Sequence, residues 1–65
     1  MTLEEIKSAV LSGKRVCWAN TGYTVVVDSL GQWFIKFTSN GHCIGLTWAD
    51  DVTLNGKPSE FFIAN

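Results

Sequence analysis

Cys17, His42 and Cys43 are the side chains in this sequence with the chemistry for soft metal ligation or for a thiolate and its base. Their spacing argues against both uses. There is no Cys-x-x-Cys or His-x3-His pair, and His42 and Cys43 are neighbours on an expected strand, where consecutive side chains point to opposite faces. A nucleophile built from Cys17 and His42 would also need an orienting third group and a pocket, and the sequence offers no candidate for either. Asp50-Asp51 could suggest a cation site or an acid and base, but adjacent loop carboxylates usually cap the next element or stay solvated. The six glycines are scattered along the chain instead of forming a phosphate loop. No catalytic residue, cofactor or metal is expected, because so short a chain rarely encloses a substrate pocket.

The elements that would position these residues follow from local pattern. Thr2 and Glu5 fit a capping box, Leu3, Ile6 and Val10, with Ala9 and Leu11 beside them, recur at helical spacing, and Gly13 can close the helix. This predicts a helix over about residues 3–12 whose Glu4, Lys7 and Ser8 face away from the core. Beyond Gly13, β-branched and aromatic residues between Asn, Asp and Gly clusters predict strands over 14–20, 23–28, 32–38 and 42–47. Val52-Thr53-Leu54 reads as a further short strand, and residues 59–63 fit either an edge strand or one helical turn.

Turn chemistry sets the expected register. Asn40-Gly41 as a two-residue type I′ loop pairs Ser39 with His42, Phe37 with Ile44 and Ile35 with Leu46. A three-residue loop ending at Gly31 sets Val27 opposite Trp33, Val25 opposite Ile35 and Tyr23 opposite Phe37. A two-residue loop at Thr21-Gly22 would place Trp18 against Val25 and Val16 against Val27, whereas a three-residue loop would shift that register. The inner face then holds Val16, Trp18, Tyr23, Val25, Val27, Trp33, Ile35, Phe37, Ile44 and Leu46, with the helix as its cover. The expected fold is α+β: one N-terminal helix packed on a four- to five-stranded antiparallel β-meander, in a single domain spanning residues 1–65.

The opposite face carries the candidate site. The same registers put Cys17, Val26 and Phe34 side by side, ringed by Arg15, Thr24, Asp28, Gln32, Lys36, Thr38 and Thr47. An apolar centre with a cationic and polar rim is the anatomy of a protein interface, with a protein partner or a second copy as occupant. The alternative is that Phe61-Phe62-Ile63 folds over the patch as a second small core. Trp48, at a strand end, is either an interface anchor or plain packing. A second functional reading is a single-stranded nucleic-acid module that stacks bases on Phe34 beside Lys36 and Arg15. Five basic against six acidic residues, a formal net charge of −1, weaken it.

Hydrophobic residues make up 46% of the chain and charged residues 17%, which excludes a disordered segment. No apolar run approaches the roughly 20 residues needed to span a bilayer, and the acidic start Met1-Thr2-Leu3-Glu4-Glu5 is unlike a secretion signal. A soluble, cytoplasmic protein with two reduced thiols is expected. A domain this small buries only about 60% of the surface its unfolded chain exposes, which favours association.

Across most of the chain, the pattern Gly13-Lys14-x-Val16-x-Trp18, Tyr23-x-Val25 through Asp28, Gly31-x-Trp33, Asn40-Gly41-x-x-Ile44-Gly45-Leu46-Thr47 and Thr53-Leu54-Asn55-Gly56-Lys57 through Phe61-Phe62 resembles small uncharacterised proteins encoded by tailed phages and prophages. The resemblance implies a genomic setting and action by binding a host or viral protein. It implies no activity, cofactor or catalytic residue.

Overall fold

A computed structural model describes residues 1–64. The helix α1 (Leu3–Leu11) begins where expected: Thr2 Oγ1 accepts from the Glu5 N–H, and Glu5 Oε1 accepts from the Thr2 N–H at 2.8 Å. It ends in a Schellman arrangement, with the Lys14 N–H donating to the Ala9 carbonyl and the Gly13 N–H to that of Val10. Ile6 and Ala9 are its buried residues. Two details of the expected helix face are corrected. Leu11, in the last turn, is 72% exposed. Lys7 does not face away: its Nζ lies 5.5 Å from the centroid of the Trp33 ring, a cation–π contact that draws its stem over the sheet.

Five strands follow in one antiparallel sheet: β1 (Arg15–Trp18), β2 (Asn20–Val27), β3 (Trp33–Phe37), β4 (Cys43–Gly45) and β5 (Phe61–Ala64), in the order β4-β3-β2-β1-β5. The first four form the expected meander. The chain then crosses to the far edge, where the 3-10 turn Pro58–Glu60 leads into β5 beside β1. Both readings of residues 59–63 thus hold for different parts of the segment. Val52-Thr53-Leu54 does not form the expected strand and contributes one isolated bridge, Thr47 to Leu54.

The β2–β3 register is as expected, with Tyr23 opposite Phe37, Val25 opposite Ile35 and Val27 opposite Trp33. Gly31 at φ 79° supplies the left-handed residue of the three-residue loop, and Asp28 Oδ1 accepts from the N–H groups of Leu30 and Gln32. The other two hairpins differ. Type I′ needs positive φ at both central residues, yet of Asn40 and Gly41 only Gly41 has it, because Asn40 Oδ1 turns back to accept from the His42 N–H. Phe37 and His42 close a four-residue loop instead, so Ile44 lies opposite Ile35 and not Phe37. Between β1 and β2 the reversal falls at Ala19, φ 64°, with a bulge after Cys17, so that Thr21 and Gly22 belong to β2 and Cys17 lies opposite Thr24.

Away from Trp18, which the bulge sets opposite Asn20, these slips shift the expected pairings by two residues. A shift of two preserves the face on which each side chain sits. The core therefore lies on the expected side: Val16, Val25, Ile35 and Leu46 pack with Ile6, Ala9 and Phe61, flanked by half-buried Leu3, Val10, Trp18, Tyr23, Trp33, Ile44 and Leu54. Val27 and Phe37, expected in the core, are half-buried. Phe37 instead stands edge-on to Tyr23 at 4.7 Å between centroids, and Tyr23 edge-on to Trp18 at 5.3 Å, forming an aromatic row at one end of the inner face.

Candidate functional site

The registers arrange the outer face in two cross-sheet rows. One runs Phe62, Cys17, Thr24, Lys36, Cys43. Continuing the β1–β2 register by two residues gives the other as Ala64, Arg15, Val26, Phe34, Gly45. Val26 and Phe34 are thus direct neighbours, as expected, but Cys17 is not beside them. It sits one row away because the reversal at Ala19 moved β1 by two residues.

Cys17 is also fully buried. Arg15 starts in the Val26 row and donates from Nη2 to the Thr21 carbonyl at 2.9 Å, so its side chain must run along the strand past the Cys17 row. Cys17 lies between Thr24 and Phe62 in its row and, being fully buried, does not present its sulfur. In the same row Thr24 Oγ1 is buried without a hydrogen-bond partner. The rim therefore consists of Arg15, tied to Thr21, and Lys36, which is exposed.

The C-terminal segment does not fold over this face. Phe61 enters the core, and Phe62, 37% exposed, extends the outer row from the neighbouring strand. Helix α1 packs against β1 and β2 on the inner side. The outer face stays open around half-buried Val26 and Phe34.

Trp48 is 65% exposed and lines a groove together with Phe34. The groove, about 510 Å³, opens where β4 has ended and the following loop diverges from the start of β3; Phe34, Trp48 and Asp51 line it together with Lys7 and Trp33, so it reaches round the end of the sheet to the side on which Lys7 lies over Trp33. The loop bearing Trp48 is held by Asp50, whose carboxylate accepts from the N–H groups of Val52 and Thr53 and from the Thr53 hydroxyl. Those bonds, the Thr53 hydroxyl first, keep the Asp50 carboxyl below its ordinary value. The capping role expected for this acidic pair thus falls to Asp50. Asp51 takes a left-handed φ of 60°. The groove went unread in the sequence because it forms between segments 14 residues apart, joined by the Leu46 N–H donating to the Trp33 carbonyl.

The thiols and histidine are not assembled into a site. Cys17 and Cys43 occupy the same row three strand spacings apart, about 14 Å, beyond the reach of a disulfide, and both are free. Among the described residues no cluster of three or more His, Cys, Asp or Glu side chains could hold a metal ion. No helix among them is long and apolar enough to cross a membrane.

Fold and site together define an α+β chain with one helix on the inner face of a five-stranded antiparallel sheet and an open outer face. No protein-family model, curated protein or solved structure matches it.

Proposed function

We propose that this chain is an accessory protein of a tailed phage or prophage that works in the host cytoplasm by binding a protein, of the host, of the virus or a second copy of itself, without catalysis. The phage setting rests on the resemblance of its turn and core pattern. The binding reading rests on one observation: Phe34, on an uncovered sheet face, and Trp48, most of whose surface is exposed, line a single groove at the end of the sheet. An aromatic pair around a recess, with Val26 beside Phe34 and with Arg15 and Lys36 elsewhere on the same sheet face, offers the anchors that carry most interface energy.

The test is capture of partners by the tagged chain beside Phe34→Glu and Trp48→Ala. Neither residue belongs to the core cluster, so both variants are expected to keep the circular-dichroism spectrum of the parent while losing the partner. A partner retained by both variants would sink the proposal. Unfolding of Phe34→Glu would reassign Phe34 to packing. Arg15 and Lys36 flank Phe34 on the same face, so labelled oligonucleotides form a second arm. Salt-sensitive binding that falls in Arg15→Ala and Lys36→Ala would move the assignment to single-stranded nucleic acid.

A further inference from the structure

The two edges of the sheet are finished differently. Along β4, a three-residue strand, Asn55 closes the end: its Nδ2 donates to the Gly45 carbonyl at 3.3 Å and its N–H to that of Leu46 at 2.8 Å. At the other edge, β5 reads Phe61-Phe62-Ile63-Ala64, without a charge, a proline or a bulge. Those are the devices by which natural edge strands avoid pairing with other chains.

The hydrogen-bond parity of β5 identifies what its edge offers. The Ala19 N–H donates to the Glu60 carbonyl, and the register pairs Phe62 with Cys17 and Ala64 with Arg15 at the same offset. Main-chain groups of Glu60, Phe62 and Ala64 therefore point to β1, and those of Phe61 and Ile63 point away. The Phe61 N–H is already used by the Pro58 carbonyl. Ile63 is left as the residue of β5 presenting both an N–H and a C=O outward, with its side chain 44% exposed.

We infer that β5 pairs with β5 of a second copy, antiparallel, about a two-fold axis at Ile63. Each Ile63 N–H donates to the carbonyl of the other, a reciprocal pair that is self-complementary by symmetry. The same register sets Phe62 opposite Ala64 of the second copy on the outer face, large against small, and the two sheets become one of ten strands. Centring the axis on Phe62 instead would require the Phe61 N–H, which is spent. Pairing of four-residue strands buries far less than the about 800 Å² per partner of a standard interface, so the dimer dissociates readily on dilution. It uses the strand edge and not the Phe34 groove, so it stands or falls separately from the proposed function.

Sedimentation of the full chain over a wide concentration range tests this. The weight-average mass is expected to rise from one chain towards two, and to stay at one in Ile63→Pro. That substitution removes the outward N–H without touching the bonds to β1, so its circular-dichroism spectrum should match the parent; Ile63→Lys serves if the proline variant fails to fold. Ile63→Cys in a Cys43→Ser background should oxidise to a covalent dimer, since hydrogen-bonded antiparallel neighbours lie about 5.5 Å apart, within disulfide reach. Phe34→Glu should dimerise like the parent. A single-chain mass at every concentration, a dimer that survives both Ile63→Pro and Ile63→Lys, or a dimer lost only in Phe34→Glu would overturn the inference. So would edge pairing found only with an unrelated extended peptide.

Discussion

Gly56 and Trp18 show how one backbone position fixes a side chain far away in sequence. Gly56 has φ +144°, and a Cβ there would stand 2.5 Å from Trp18 Nε1. The absence of a side chain lets residues 54–57 lie against the indole, whose Nε1–H donates to Glu60 Oε1 at 3.3 Å. Glu60 Oε1 in turn accepts from the Lys57 N–H at 2.8 Å, tying the turn before β5 to β1. Gly56→Ala is therefore expected to cost about 1–3 kcal/mol, through overpacking and a φ that L-residues avoid. Thermal unfolding gives the cost. Tryptophan emission, shifted towards that of an exposed indole, locates it; an unchanged midpoint would remove Trp18 as the seat of the restraint.

At the scale of elements, α1 and the loop bearing Trp48 are each held at one end by a carboxylate. Glu5 accepts from the Thr2 N–H and is bonded to Thr2 through the capping box, and these bonds, the backbone one first, hold its carboxyl below the ordinary 4.5. Asp50 does the same for residues 50–53, below the ordinary 3.8. A carboxyl whose pKa is lowered by folding contributes stability that is fully present above its unfolded value and is lost as pH falls through its folded value. The stability advantage of the parent over Glu5→Gln should thus be constant above 4.5 and shrink as the solution is acidified below it. Asp50→Asn should behave likewise below 3.8, and Trp48 fluorescence should report that loop directly. Denaturant titrations at a series of pH values check both; an advantage that grows on acidification would reverse the assignment.

For the molecule as a whole, stability rests on few residues. Ile6, Val16, Ile35 and Leu46 are fully buried, and a 65-residue domain commands only about 3–10 kcal/mol in total. Leu46 lies beyond β4, yet its N–H donates to Trp33 and its carbonyl accepts from Asn55, so its side chain is carried under the sheet. Leu46→Ala should cost about 2–5 kcal/mol, a large share of that total, read as a lowered midpoint in denaturation followed by circular dichroism. Phe34→Glu, on the open face, should keep the folded spectrum. The contrast separates the two faces of the sheet: one side holds the chain together, and the other contributes little to its stability.

Neighbours along the chain govern the features that could be read locally. Thr2 and Glu5 define the helix start, Asp28 through Gly31 define the β2–β3 loop and its register, and strict alternation assigns Val16, Val25, Ile35 and Ile44 to one face and Val26, Phe34 and Lys36 to the other. Alternation has a period of two, so the faces survive even where β1 and β4 slip by two residues. Tertiary structure decided the slips themselves. Nothing local marks Ala19 for a left-handed conformation; the bond from its N–H to Glu60, 41 residues on, belongs to the pairing of β1 with β5. The same long-range pairing sends Phe61 into the core and leaves Phe62 at the edge, encloses Cys17, and leaves the outer face uncovered. The Phe34–Trp48 groove exists only once β3 and the loop after β4 are brought together. A strand chooses its neighbour by what it buries there, and that choice depends on residues distant in sequence.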